Sequence, residues 1–198
     1  MVVENKNTFS LRTLNVVHQW VQQVVKPGDL VIDGTVGNGH DTVYLAELVG
    51  EAGHVVGFDI QEEAVRRTAV ALQAKGYGDR GELHAACHSR VREFLSEDAS
   101  VAVAMFNLGY LPNADKSIIT QVETTIRALE ETLQVLQPLG LMTIVCYPGH
   151  AGGDSEALAV EAWAKELNSV EYSVMKATPH NPRSQAPYII AIQKGRPR

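Results

Sequence analysis

The stretch Leu30–Asp41, LVIDGTVGNGHD, decides the fold of this chain. It begins as a short apolar run typical of a buried strand, and it turns through three glycines into the helical pattern of His40–Val49. A second apolar run, His54–Phe58, follows and is closed by Asp59. A strand, a glycine-rich turn, a helix and a second strand together form the first unit of an open, parallel α/β sheet.

The same alternation continues to the end of the chain. Further helices are predicted over Gln61–Lys75, Ser117–Leu136 and Ser155–Leu167. Further strands are predicted over Glu82–Ala86, Val101–Phe106, Leu141–Cys146, Tyr172–Met175 and Tyr188–Ile192. We therefore predict an α/β fold with a doubly wound, seven-stranded, mostly parallel sheet, the first five strands being separated by helices. The last two strands are joined without a helix, across a Pro-rich loop at 179–187, and should form an antiparallel hairpin.

Length and composition exclude several classes of protein. A chain of 198 residues is expected to form a single domain, residues 1–198. A hydrophobic share of 45% with 20% charged residues excludes a disordered chain or a coiled coil. The net charge of −6 argues against a wide basic surface that coats nucleic acid, but not against a local RNA-binding patch. The two cysteines, Cys87 and Cys146, are predicted to be free thiols of a reducing compartment.

Targeting signals are not evident in the sequence. No apolar run approaches the roughly 18 residues of a membrane span, and Met1–Ser10 is too polar for a signal peptide. We therefore expect a cytoplasmic protein without a membrane partner.

The turn after the first strand is the predicted cofactor site, because open α/β sheets bind ligands beyond the carboxyl ends of their strands. Its glycines let the backbone approach a ligand closely, and the helix that follows supplies free N–H groups. Asp59 ends the second strand, where an acid can accept both hydroxyls of a ribose. These features predict a cofactor that contains adenosine.

The chemistry of the turn favours one such cofactor. A dinucleotide fingerprint needs a third small residue where this chain has Thr42, and an acid, Asp33, precedes the turn. A carboxylate repels a pyrophosphate but attracts a cationic amino-acid moiety. The turn resembles the first motif of class I S-adenosylmethionine-dependent methyltransferases, with Thr35 where that motif often has its first glycine. S-adenosyl-L-methionine is thus favoured over NAD.

The segment Asn107–Pro112, NLGYLP, directly follows the central strand. It resembles the Asn-Pro-Pro-Tyr motif of methyltransferases that act on amino nitrogens, although Leu108 and Gly109 replace both prolines. A side-chain amide oxygen and a backbone carbonyl can each accept one N–H of an amine and so aim its lone pair. We predict that Asn107 and Tyr110 are catalytic and that Tyr110 also stacks on a base. An ordinary polar strand end is the structural alternative.

Other polar side chains are predicted at the same edge of the sheet. Aromatic, histidine and asparagine groups in loops suit the recognition of an exposed nucleotide, and the loops here offer Tyr147, His150 and Asn181. His84 and His88 would lie roughly 13 Å apart on one strand, too far to share an ion, so no metal is assigned. Cys87 and His88 are instead predicted to border the adenine.

Four short sequence segments resemble motifs of one family, the bacterial "putative rRNA methylase" family of small class I methyltransferases. These segments are Gly37–Thr42, Phe58–Gln61, Phe106–Pro112 with Asp115 and Lys116, and Tyr147 with Gly149 and His150. The likeness extends from about Val16 to Lys194. Characterised members of this family methylate the aminomethyl group of 5-aminomethyl-(2-thio)uridine at the tRNA wobble position.

The resemblance implies roles for individual residues. It places the cofactor on Asn38, Gly39, His40, Asp41, Asp59, Gln61 and His88. The turn and the strand ends add Asp33, Thr35, Gly37, Ile60, Cys87 and Asn107 as expected cofactor contacts. The expected substrate contacts are Tyr110, Lys116, Tyr147, His150 and Asn181, with Lys116 placed to meet a phosphate.

We accordingly expect an enzyme that transfers a methyl group from S-adenosyl-L-methionine to the anticodon region of tRNA. The base that keeps the amine neutral is left open among Tyr147, His150 and Asp115. Three other functions stay open: a methyltransferase for rRNA or another amine, a nucleotide-dependent oxidoreductase, and a non-catalytic cofactor-binding protein. A homodimer is one arrangement that would give this acidic chain a basic groove for RNA.

Overall fold

A computed structural model describes residues 10–109, 120–149, 152–182 and 185–196 of the chain. The strands within these ranges are β1 (Leu30–Asp33), β2 (His54–Asp59), β3 (Gly81–Ala85), β4 (Val101–Asn107), β5 (Leu136–Cys146), β6 (Tyr172–Ala177) and β7 (Tyr188–Lys194). The α-helices are α1 (Thr13–Val24), α2 (His40–Val49), α3 (Glu62–Ala74), α4 (Val122–Val135) and α5 (Gly153–Glu166). None of these described helices is both long and apolar enough to span a membrane.

The seven strands form one sheet in the order β3-β2-β1-β4-β5-β7-β6. Strands β1 to β5 pair in parallel, whereas β7 lies antiparallel to both β5 and β6. The prediction of a doubly wound sheet with an antiparallel final hairpin is therefore confirmed. The strand order reverses between β1 and β4, which is where such sheets open a crevice for a ligand.

The core consists of two apolar clusters, one on each face of the sheet. Successive side chains of a strand point to opposite faces, so Val31 and Met105 join one cluster while Ile32 and Phe106 join the other. The first cluster is covered by α1 and α2, and the second by α4 and α5. Strand β4 is buried from Val101 to Phe106, as its continuous apolar run predicted.

Helix α1 was absent from the predicted elements. Its buried side chains Val17 and Val21 are four residues apart and pack on the cluster that contains β1 and β4. The pattern is short and is interrupted by polar residues, so it gives a weaker signal than the glycine-rich turn that follows. This helix matters for the site, because it also carries His18.

The connection between β3 and β4, for which the sequence predicted no helix bounds, contains a 3-10 helical segment, His88–Phe94. Arg90 interrupts its helical geometry with φ −103° and ψ 15°. The fifth strand also differs from prediction, since it begins at Leu136 instead of Leu141. Leu136 pairs with Val101 and Leu141 with Val103, so residues 137–140 bulge out of the ladder. The bulge accommodates Pro138, which has no N–H to donate to the ladder.

The topology brings the predicted functional residues together. Asp33, Asp59 and Asn107 are the last residues of three parallel strands, and Tyr147 directly follows a fourth. The carboxyl ends of parallel strands lie at the same edge of a sheet, so these side chains surround the crevice between β1 and β4.

Gly39 generates a stability prediction, because its φ is +78° and an added methyl group would lie 2.5 Å from Thr68 Oγ1. We expect Gly39→Ala to lower the free energy of unfolding by about 1–2 kcal/mol through the left-handed backbone. Overpacking against Thr68 should cost a further ~1–3 kcal/mol. Urea denaturation measures the sum.

The matched control is Gly76→Ala. Gly76 has a similar φ of +74° with nothing within 4 Å of an added methyl group, so it should lose only the backbone contribution. Equal losses in the two variants would contradict the close approach of the turn to α3.

Candidate functional site

Asp33 closes the turn between β1 and α2. Its carboxylate is fully buried and accepts hydrogen bonds from the Thr35 backbone N–H (3.1 Å) and from the Thr42 hydroxyl (2.6 Å). Burial, together with the negative charges of Asp41 and Asp59, raises the pKa of Asp33 to about 7. Through these two hydrogen bonds, the carboxyl group of Asp33 fixes the conformation of the turn.

Thr35 ties this turn to the central strand. Its hydroxyl oxygen accepts the backbone N–H of Asn107 at 2.7 Å, across 72 positions of sequence. The Gly34 N–H donates to the carbonyl of Met105 at 2.8 Å and makes a second link between the same segments. The backbone of Asn107 is therefore fixed relative to the glycine-rich turn.

Asp59 organises the other side of the turn. One carboxylate oxygen accepts the Gly37 N–H (2.8 Å), and the other accepts the Gln61 N–H (2.9 Å). Each oxygen of an ionised carboxylate has a second lone pair, so both can still accept a hydroxyl. Asp59, Gly37 and Gln61 are half-buried, and the expected cofactor contacts Asn38, His40 and Ile60 are exposed around them.

His88 borders the crevice beyond β3. Its Nδ1 lies 3.1 Å from the carbonyl oxygen of Gly34, and its Nε2 is buried without a hydrogen-bond partner. Burial lowers the pKa of His88, so the ring is neutral near pH 7. Because a carbonyl only accepts, Nδ1 carries the proton and Nε2 is an unused acceptor. The neighbouring Cys87 is half-buried and accepts the hydroxyl of Ser89 at 3.1 Å.

Asn107 presents the second unused acceptor. Its side-chain nitrogen donates to Asp41 Oδ2 at 2.6 Å, while its amide oxygen is buried without a partner. The other oxygen of Asp41 lies 2.6 Å from Nε2 of His18. Both oxygens of Asp41 are thus used by protein groups, which the sequence-based assignment of Asp41 to the cofactor did not anticipate.

Tyr147 is half-buried beside this cluster. Burial and the negative charge of Asp41 raise the pKa of Tyr147 to about 12. Its hydroxyl is therefore protonated at neutral pH and can donate a hydrogen bond to a bound group. Tyr147 is therefore poorly suited to accept a proton near pH 7.

Glu156 of α5 was not identified from the sequence. It is 3% exposed, and its carboxylate accepts the hydroxyls of Thr120 (2.5 Å) and Thr125 (2.6 Å). The Thr120 hydroxyl also accepts the Gly109 N–H at 2.9 Å. Glu156 therefore joins α5 to the residue that follows Leu108 and to the start of α4. A glutamate on a helix gives no sequence signal for this role.

The remaining predicted site residues fall into two groups. Asn181 is exposed between β6 and β7. Tyr110, Lys116 and His150, with the candidate base Asp115, lie outside the described residues. In the part of the chain that the structure describes, no three His, Cys, Asp or Glu side chains group so as to hold a metal ion.

The raised pKa of Asp33 gives a pH prediction. The unfolded chain loses this proton near pH 4 and the folded chain near pH 7, so the folded state holds the extra proton between them. The contribution of Asp33 to stability should fall as the pH rises through this interval, by up to ~1.4 kcal/mol per pH unit, and level off above it.

Asp33→Asn keeps an acceptor for Thr35 but cannot titrate. Urea denaturation of both ligand-free proteins between pH 4.5 and 8 should show the wild type losing stability relative to the variant as the pH rises. A difference between the two proteins that does not change with pH would contradict the raised pKa.

The chain is similar to known methylases. A family model described as "Putative rRNA methylase" matches residues 55–193. A "tRNA (mnm(5)s(2)U34)-methyltransferase, chloroplastic" of Arabidopsis thaliana is 38% identical over 191 residues, covering 92% of this chain and 69% of that protein.

Two solved structures are similar over almost their whole length. A "putative rRNA-methylase" from Clostridium thermocellum is 36% identical with a TM-score of 0.91, over 94% of this chain and 100% of that one. A "putative methyltransferase" from Streptococcus mutans, solved in complex with SAH, is 33% identical with a TM-score of 0.85, over 94% and 99%. The family-model match and these relatives show that the chain belongs to the "putative rRNA methylase" family of class I methyltransferases, and its strand order agrees with this.

Proposed function

We propose that this protein methylates the amino nitrogen of 5-aminomethyl-(2-thio)uridine at the wobble position of tRNA. The observation that carries the proposal is the Asn107 amide, whose oxygen lies buried without a partner at the end of the central strand. An amine has N–H groups to donate to such an acceptor, whereas the oxygen of an alkoxide nucleophile has none. The Arabidopsis relative, whose name states that it acts on mnm(5)s(2)U34 of tRNA, supports this substrate.

The cofactor of this methyltransferase is S-adenosyl-L-methionine, and the residues at the sheet edge fit it. Asp59 has free lone pairs for two ribose hydroxyls, and the buried Nε2 of His88 has no protein partner. We propose that Asp59, Ile60, Gln61, Cys87 and His88 bind the adenosine. The segment from Asp33 to Asp41 would bind the amino-acid moiety, with Asp33 favouring its positive charge.

The role of the protein is to position the reacting groups. When bound, S-adenosyl-L-methionine supplies a methyl group on a positively charged sulfur, and this sulfur keeps the electrons of the S–C bond as the amine nitrogen bonds to the methyl carbon. A protonated amine has no lone pair, so it must lose a proton before it reacts. Asn107 would then hold the neutral amine by one N–H and leave its lone pair free.

Two of the earlier alternatives lose support. A nucleotide-dependent oxidoreductase and a non-catalytic cofactor-binding protein both disagree with membership of a methylase family. Methylation of rRNA stays as the second candidate, because the family description names rRNA whereas the Arabidopsis relative is named for tRNA. We propose the tRNA anticodon region as the partner, bound by a homodimer in the cytoplasm.

The substrate is tested with RNA from a strain that lacks the gene for this protein. Purified protein and S-adenosylmethionine with a labelled methyl group should label bulk tRNA, and digestion should place the label in the wobble nucleoside. Ribosomal RNA from the same strain is the parallel arm and should stay unlabelled. Labelled rRNA with unlabelled tRNA would replace the proposed substrate by the second candidate.

Loss of the Asp59 contact should lower cofactor affinity, whereas loss of the Asn107 contact should lower the methylation rate. Asp59→Ala removes charge-assisted hydrogen bonds worth about 1.5–3 kcal/mol each, so affinity for S-adenosylhomocysteine should fall by at least about tenfold. Asn107→Ala should leave that affinity within several-fold but cut the single-turnover methylation rate by about a hundredfold. Calorimetric titration and quenched-flow labelling measure the two quantities.

A matched control for Asp59→Ala is Glu62→Ala, which removes one negative charge from an exposed position three residues away. It should change neither quantity. Equal loss of affinity in both variants would mean that overall charge, rather than a ribose contact, explains the effect. Normal turnover by Asn107→Ala would remove the proposed role of the amide.

A further inference from the structure

We propose that His18 and Asp41 are positioning residues, which hold the Asn107 amide with its oxygen turned toward the target amine. The inference deepens the proposed function and rests on it. It assigns a role in the site to helix α1, which contributes none of the residues predicted from the sequence.

Asp41 decides which way the amide points. An asparagine side chain can present either its oxygen or its NH2 group in a given direction, and the two arrangements differ by a simple flip. Asp41 is 9% exposed, and its carboxylate only accepts hydrogen bonds. The NH2 group of Asn107 must therefore face Asp41, at 2.6 Å, and the oxygen must face away.

The backbone around Asn107 is held by hydrogen bonds, so the orientation of the amide is set within its side chain. Its N–H is bound to Thr35 Oγ1 at 2.7 Å, and Leu108 N–H is bound to the carbonyl of Val145 at 2.9 Å. The amide oxygen is buried and has no protein partner. An acceptor that is held in place and left unused is arranged for a donor outside the protein, which in this site is the N–H of the amine.

His18 in turn fixes Asp41. Because Asp41 Oδ1 only accepts, the Nε2 of His18 at 2.6 Å carries the proton and donates it. The His18 ring stacks on Tyr44 of α2, with ring centres 4.0 Å apart and planes 9° apart. The Tyr44 hydroxyl also donates to the His18 carbonyl at 2.7 Å. The ring is thus held by stacking and offers a directed donor to Asp41.

Two substitutions at His18 separate hydrogen bonding from packing. His18→Phe keeps an aromatic ring on Tyr44 but has no donor, whereas His18→Gln loses the ring and places an amide nitrogen near the position of Nε2. We expect His18→Phe to lower the single-turnover methylation rate by about tenfold and His18→Gln to recover most of that loss. Affinity for S-adenosylhomocysteine and the KM for tRNA should stay within about threefold in both.

A second readout needs no RNA. In nitrogen-15 spectra of the ligand-free protein, the side-chain NH2 signals of Asn107 are assigned by their loss in Asn107→Asp. The NH2 proton of Asn107 that is hydrogen-bonded to Asp41 should give a downfield signal and exchange slowly with solvent in the wild type. It should exchange at least tenfold faster in Asp41→Asn, whose amide no longer excludes the flipped arrangement, and also faster in His18→Phe.

The results distinguish this inference from the proposed function. Wild-type rate and exchange in His18→Phe would overturn the positioning role and leave the methyltransferase reaction intact. Slowing of His18→Gln alone, with His18→Phe at the wild-type rate, would assign His18 to packing on Tyr44 and also overturn it. Failure of the wild type to label wobble nucleoside would remove the proposed substrate, and the exchange data would still decide whether His18 and Asp41 orient Asn107.

Discussion

The buried carboxylate of Asp33 is the constraint on which the site depends, because it fixes both the turn after β1 and the first turn of α2. It accepts the Thr35 N–H and the Thr42 hydroxyl in a space without access to water. Once Thr35 is fixed, its hydroxyl meets the Asn107 N–H, and once Thr42 is fixed, the preceding Asp41 faces the Asn107 amide. The same carboxylate thus positions the glycine-rich turn and the end of the central strand.

Asp59 plays the complementary part on the other side of the turn. Its bonds to Gly37 and Gln61 hold the glycine backbone open and set the start of α3. A carboxylate that organises the backbone can also bind a ligand through its remaining lone pairs. The hydrogen bonds that hold the turn therefore also hold in place the carboxylate that we propose as a ligand contact.

The sequence predicts the sheet well because the signals for it are local. The apolar run at Val101–Phe106, the glycine-rich turn and the acids at strand ends each lie within a few residues, and parallel topology then places them at one edge. The contacts that refine the site are distant in sequence, and no local pattern reveals them. His18 meets Asp41 only because α1 packs beside α2, and Glu156 reaches Thr120 only because α5 packs beside α4. The bulge before Leu141 was missed for a related reason: Pro138 and Gly140 end a helix and interrupt a strand equally well.

The three carboxylates at this edge, Asp33, Asp41 and Asp59, also bear on turnover. Burial first, and then the negative charges of Asp41 and Asp59, raise the pKa of Asp33, and a positive charge placed among the three carboxylates relieves the electrostatic part of this effect. The methyl donor carries a positive sulfur, whereas the spent cofactor carries a neutral one. In the proposed site, this acidic edge would hold the positively charged donor more tightly than the neutral product, and this difference would favour exchange of the spent cofactor for a fresh one after each reaction.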